Sequence, residues 1–121
     1  MPVRSLSSSV VVWPDRPTVE SALRRWAREA ARARPEIRRV GYFGSYARGD
    51  WGVGSDLDVV LVVAYADLPF RRRAALWDLT SLPVPADVLV YTEEEWRGLD
   101  PQSRFARVLA KEVVWVWVRG S

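Results

Sequence analysis

The spacing between a Gly-Ser pair and an Asp-x-Asp pair constrains the fold of this chain more than any other feature. Gly44-Ser45 is followed, after ten residues, by Asp56-Leu57-Asp58 and then directly by the apolar run 59–63. An apolar run of this length predicts a strand that is buried on both faces and lies in the centre of a sheet. The pattern therefore predicts a Gly-Ser turn followed by a central strand that begins with two carboxylates.

The length of 121 residues predicts a single domain with one core, residues 1–121. Residues 1–14 are an N-terminal extension with a candidate strand at 7–13; the next helix is capped by Asp15 or Thr18 and ends before Pro35. Further strands are predicted at 37–43, 56–64, 87–91 and 113–118, and helices at 68–82, from Thr92 onward and at 102–111. This order predicts an α/β (α+β) fold, a small mixed β-sheet with helices packed on one side.

The chain has neither cysteine nor histidine. This composition excludes disulfides, thiol nucleophiles, imidazole bases and the usual zinc sites, so any chemistry depends on carboxylates, hydroxyls, arginines and oxygen-bound metals. No apolar run approaches the roughly 20 residues that cross a bilayer, and residues 1–14 lack signal-peptide features, so we expect a cytoplasmic protein without membrane contact. Nucleic acid is not an expected partner, because the arginine-rich face of the first helix has no interleaved aromatic residues.

The acidic pair is the candidate catalytic feature. Asp56 and Asp58 project from one face of the predicted strand, because side chains alternate along a strand. Asp87 begins another apolar run and joins them if its strand is adjacent, at a strand spacing of about 4.8 Å. Such carboxylates oppose one another's ionisation unless cations neutralise them, as two Mg²⁺ ions about 3.5–4 Å apart would do in a phosphate displacement. The alternative is that Asp56 is a turn residue and Asp58 a solvated edge residue, but an apolar run fits an edge poorly.

The Gly-Ser turn is the candidate phosphate site. Gly44 lets the backbone pass close to a ligand, and Ser45 offers a hydroxyl and a backbone N–H. Arg48 either meets a phosphate or pairs with an acid, and the sequence leaves both options open. We expect Tyr46 and Trp51 to pack on the core, and stacking of Trp51 on a base is the alternative.

Two other runs have expected roles outside the site. Residues 71–73 are three arginines at the start of a predicted helix, and we interpret them as solvent-exposed. Trp115 and Trp117 are expected to share one face of the last strand, opposite a face of valines. With both faces apolar, that strand is either interior or meets another protein.

The run GSYARGDWGVGSDLDVVLVV, with Asp87 further along the chain, resembles the DNA polymerase β-like nucleotidyltransferase superfamily. Within it, the chain resembles the minimal nucleotidyltransferase (MNT) branch, whose members are often antitoxins paired with HEPN-domain toxins. The likeness covers roughly residues 37–91 by motif and the rest by length and element order. The extension at 1–14 departs from the minimal form.

The resemblance implies a polymerase β palm-like fold and ATP as the nucleoside triphosphate substrate. It implies that two Mg²⁺ ions are held by Asp56, Asp58 and Asp87. Gly44 and Ser45 would contact the triphosphate, and Asp87 would help to activate the acceptor hydroxyl. The expected reaction transfers AMP to a tyrosine of a HEPN-type protein partner and releases pyrophosphate.

Two other functions stay open at this stage. One is an antitoxin that silences its partner by direct contact and has a vestigial site. The other is a small-molecule nucleotidyltransferase, like the aminoglycoside-modifying enzymes, that builds its acceptor pocket as a homo-oligomer. A chain of this length leaves no room for a second, acceptor-binding domain, so we expect the acceptor to be a protein.

Overall fold

The computed structural model describes residues 13–120. Its elements, in order, are α1 (Arg16–Ala33), β1 (Ile37–Phe43), α2 (Ser45–Arg48), β2 (Leu57–Val63), a 3₁₀ helix (Phe70–Leu76), β3 (Ala86–Thr92), α3 (Glu93–Arg97), α4 (Arg104–Glu112) and β4 (Val114–Val118). The strand predicted at 7–13 lies outside the described residues apart from Trp13. Within residues 13–120, no helix is both long enough and apolar enough to span a membrane.

Helix α1 begins and ends as its sequence signals predict. Asp15 is the N-cap, and its carboxylate accepts a hydrogen bond of 3.0 Å from the backbone N–H of Thr18. This hydrogen bond satisfies one of the free N–H groups at the helix start and so stabilises the helix. The helix ends ahead of Pro35, and its buried face consists of Val19, Leu23, Ala27 and Ala31.

The sheet is mixed and has the strand order β3-β2-β1-β4. Strand β1 is antiparallel to β2 and to β4, whereas β2 and β3 are parallel. Six of the seven residues of β2 are buried, and the exception is Asp58. The apolar run therefore forms a central strand, as its composition predicts.

The two faces of the sheet carry different layers of the core. On one face, Val59 and Leu61 of β2 belong to the cluster that α1 covers. On the other, Val60 packs with Tyr91 and with Leu109 of α4. The mixed sheet with helices is confirmed, and its helices lie on both faces rather than on one. Periodicity identifies the buried stripe of a helix but not which side of the sheet receives it.

The helix predicted at 68–82 is wrong over most of its length. Only Phe70–Leu76 is helical, as a 3₁₀ helix, and the chain is irregular from there to β3. The apolar side chains of Phe70 and Leu76 are 39% and 53% exposed. Arg73 is buried instead, so the interpretation of 71–73 as a solvated run is wrong at that position.

Arg73 attaches the 3₁₀ helix to β3. Its guanidinium donates to the Val90 carbonyl at 3.0 Å and forms a two-pronged ion pair with Glu95 at 2.6 and 3.0 Å. Its Nε donates to the Leu68 carbonyl at 2.7 Å. The segment is thus held by a buried cation and its acceptors rather than by an apolar helix stripe, which explains the failed prediction.

The last strand lies at an edge of the sheet and is irregular. The pairing of β1 with β4 shifts between Val40 and Gly41, which face Trp117 and Trp115 respectively, so one residue, Val116, is extra. Such a bulge turns the following side chains to the opposite face. Trp115 and Trp117 consequently pack against different core clusters, and the prediction of a shared face is wrong.

Candidate active site

The candidate site forms where β2 and β3 begin. Asp58 and Asp87 are direct partners in the parallel pairing of these strands, and Asp56 lies one residue before β2. Alternation along the strand places Asp58 on the same face as Val60, the face that α4 covers. The structure therefore brings together two of the three predicted acids on adjacent strands, with the third at the strand entrance.

The environment of Asp58 disfavours its negative charge. Burial raises the pKa of its carboxyl group, and the nearby charges of Asp87 and then Asp56 raise it further. Arg48 acts in the opposite sense and lowers the same pKa. A cation bound among these carboxylates would remove the repulsion that the three acids exert on one another.

The donor set suits a hard divalent cation. Asp58 and Asp87 offer oxygen ligands only, and Mg²⁺ is commonly bound by one or two carboxylates together with the phosphates of a substrate. Among residues 13–120, no three acidic, histidine or cysteine side chains already lie close enough to enclose a metal ion. The acids thus fit a metal that arrives with a phosphate ligand better than one that is fully caged by protein.

The Gly-Ser turn lies directly against Asp58. Gly44 has φ +79°, and a Cβ at this position would overlap with the carboxylate of Asp58. Only glycine adopts this backbone conformation without strain and leaves room for the acid. Ser45 follows as the first residue of the short helix α2. The sequence predicts that the backbone at Gly44 passes close to a ligand. In the structure this backbone already passes close to Asp58, a residue of the site.

Arg48 ends α2 and pairs with two acids. Its Nε lies 3.0 Å from Asp50, and its NH1 lies 3.3 Å from Glu112. The arginine side chain remains 47% exposed. Of the two options left open by the sequence, the structure contains the ion pair.

Glu112 is a site residue that the sequence analysis missed. It is the last residue of α4, and its carboxylate also accepts a hydrogen bond from the Gly44 N–H at 3.2 Å. No local pattern could have identified it, because 68 positions separate it from Gly44. Its position depends on how α4 packs on the sheet.

The aromatic residues near the turn have packing roles. Tyr46 is fully buried and donates its hydroxyl to the Pro14 carbonyl at 2.9 Å. Trp51 stacks on the Tyr46 ring, with the ring centres 5.3 Å apart. The packing interpretation of both residues is confirmed.

An open groove of about 640 Å³ lies beside the start of β3. Asp87 and Val88 line it together with most residues of the irregular segment 77–85. Val88, like Leu79 and Leu82 of that segment, belongs to the core cluster on the α1 side of the sheet, so the groove lies on the face opposite to Asp58.

A family model described as a nucleotidyltransferase domain matches residues 24–116, which include every residue of this site. The chain belongs to the nucleotidyltransferase domain family. This nucleotidyltransferase is accordingly a transferase enzyme, as its motif implies.

Solved structures share the fold of this nucleotidyltransferase. A crystal structure of a nucleotidyltransferase from Sulfolobus solfataricus is 24% identical, with a TM-score of 0.61 over 86% of this chain and 84% of that chain. A mutant of the toxin–antitoxin complex MntA–HpeT is 13% identical, with a TM-score of 0.53 over 80% of this chain and 74% of that chain. A comparison with curated proteins gave no significant match.

Proposed function

We propose that this nucleotidyltransferase uses Mg²⁺ and ATP to transfer AMP to a tyrosine hydroxyl of a partner toxin of the HEPN type. The observation that carries the proposal is the pairing of Asp58 with Asp87 on adjacent strands, beside the backbone of Gly44. This arrangement combines carboxylates for a metal with N–H and guanidinium donors for a triphosphate.

Each residue has a distinct role in this proposal. Asp56, Asp58 and Asp87 would hold two Mg²⁺ ions, which when bound offset the charge of the acids and of the triphosphate. The N–H groups of the Gly44-Ser45 turn bind phosphate oxygens. Arg48, half-exposed at the end of α2, turns its NH1 from Glu112 toward the phosphates.

The transfer step needs a base and an approach for the acceptor. The tyrosine oxygen attacks the α-phosphorus and forms a new P–O bond, while the bond from that phosphorus to the bridging oxygen breaks. Pyrophosphate leaves with the electron pair, and the carboxylate of Asp87 accepts the hydroxyl proton. The chain contains no histidine, so a carboxylate is the side chain suited to this role. Asp87 is exposed at the start of the edge strand β3, so the acceptor can reach its carboxylate without crossing the sheet.

A structural relative supports a toxin as the protein acceptor. The MntA–HpeT complex, which shares the fold, is a toxin–antitoxin pair in which two aspartates, two positions apart, are replaced by glutamate. Asp56 and Asp58 have the same spacing in this chain.

The test is transfer of labelled AMP. The chain is incubated with α-labelled ATP, Mg²⁺ and the protein encoded by the neighbouring gene, and the labelled residue is identified by mass spectrometry. We expect label on a tyrosine of the partner, and a loss of about 10³-fold in rate for Asp58→Asn. Asp67→Asn, an exposed acid outside the site, is the matched control and should retain full activity.

Three results would contradict the proposal. Partner inhibition that survives Asp58→Asn without any label indicates a module that acts by contact alone. Label found only on added small molecules points to a different acceptor class. Equal rates of transfer by wild type and Asp58→Asn would show that the reaction does not depend on these carboxylates.

A further inference from the structure

Glu112 occupies the donors that the proposed function assigns to the triphosphate. Its Oε1 accepts from the Gly44 N–H at 3.2 Å. The NH1 of Arg48 lies 3.3 Å from that oxygen and 3.4 Å from the other. Backbone N–H groups at glycine turns and guanidinium groups commonly bind phosphate oxygens in proteins.

The position of this carboxylate is electrostatically unfavourable in two ways. Glu112 is the last residue of α4, and the negative end of a helix dipole repels an anion. It also faces the other acids of the site, and its charge contributes to the raised pKa of Asp58. Among residues 13–120, the groups that offset these terms are Arg48 and the Gly44 N–H, so a stronger anion can compete for both.

We propose that Glu112 acts as an internal anion, which the triphosphate displaces from Gly44 and Arg48, so that Glu112 lowers the affinity of the site for nucleotide. The inference rests on the proposed function. A phosphate carries more charge and more acceptor oxygens than a carboxylate, which favours the exchange. Arg48 keeps its separate contact to Asp50 through Nε during this exchange.

The substitution Glu112→Gln tests this role. Glutamine keeps an oxygen that can accept from the Gly44 N–H, but it removes the negative charge. We expect the dissociation constant for a non-hydrolysable ATP analogue with Mg²⁺, measured by calorimetry, to fall about fivefold. A residue that merely held the turn in place would weaken binding when replaced, so the direction of the change separates the two roles.

Glu29→Gln is the matched control. Glu29 is exposed on α1, on the other face of the sheet, and its replacement makes the same change in net charge. Its dissociation constant should equal that of the wild type. Tightening in both variants would indicate a general charge effect and would overturn the inference.

The remaining outcomes of the binding experiment also test the inference. If wild type binds the analogue and Glu112→Gln binds equally or more weakly, the inference is wrong and the nucleotide site stands. If neither protein binds it, the proposed nucleotide site itself fails. If the variant does not fold, the test is made on the wild-type protein by NMR. The backbone amide resonance of Gly44 must then shift when the analogue saturates the protein. An unchanged resonance overturns the inference.

Discussion

Two clusters of charge lie at the two ends of β3, and they are built in opposite ways. At the end of the strand, Arg73 is buried and forms a two-pronged ion pair with Glu95. At its start, Asp58 and Asp87 lie side by side, and Arg48 is shared with other acids at the exposed rim. The first cluster balances its charge internally, whereas the second has an excess of negative charge.

The two arginines show what this difference means. Arg73 is 7% exposed, and its donors reach two carbonyls and both oxygens of one carboxylate. Arg48 is 47% exposed, and its NH1 contacts both oxygens of Glu112 at 3.3 and 3.4 Å. A saturated, buried guanidinium stabilises the fold, while an exposed one with long contacts can exchange partners.

The largest expected effect is on stability, at Arg73. Replacing it by methionine leaves Glu95 and the Val90 carbonyl without their donor, so Arg73→Met should lower the free energy of unfolding by about 3 kcal/mol. Urea denaturation measures this change. Arg72→Met, at the exposed neighbouring position, is the control and should change stability by less than about 0.5 kcal/mol. A loss below about 1 kcal/mol at Arg73 would mean that the two clusters do not differ in kind.

The next effect is on activity, at Arg48. Arg48→Gln removes a charged donor to the proposed phosphate, so kcat/KM for labelled transfer should fall about tenfold or more. Stability should change little, because the lost ion pairs are solvent-exposed and screened. Arg28→Gln, on the exposed face of α1, controls for net charge. A variant that loses stability but not activity would place Arg48 in the same class as Arg73.

The parts of the fold that depend on local pattern were predictable. The apolar run after Asp58 formed a central strand, and Asp15 capped the first helix. Thr92 also caps α3, where its hydroxyl accepts from the Glu95 N–H at 3.1 Å. Each of these features is set within a few neighbouring residues.

The failures involve partners that are distant in sequence. Arg73 looks solvated beside two other arginines until Glu95, 22 positions away, is known. The bulge at Val116 depends on how β4 meets β1, and it separates Trp115 from Trp117. Within the candidate site, the Gly-Ser turn and the acids were readable from spacing, but Glu112 was not.

The smallest effect separates the two clusters by the sign of their pH dependence. The ion pair with Arg73, the first cause, lowers the pKa of Glu95 in the folded state. Its stabilisation is present above the unfolded pKa and is lost as the pH falls through the lowered value. Burial raises the pKa of Asp58. The contribution of Asp58 is therefore present below its unfolded pKa and is lost as the pH rises through the raised value.

Two neutral substitutions should reveal this contrast in thermal unfolding. At pH 7, Glu95→Gln should lower the unfolding midpoint, because it removes the charge that Arg73 stabilises. Asp58→Asn should raise the midpoint at the same pH, because it removes a charge that burial and Asp87 disfavour. Both differences from wild type should shrink at about pH 3, where the unfolded carboxyl groups are protonated. Midpoints that shift in the same direction in both variants at pH 7 would show that the acids at the start of β3 are balanced like the pair at its end.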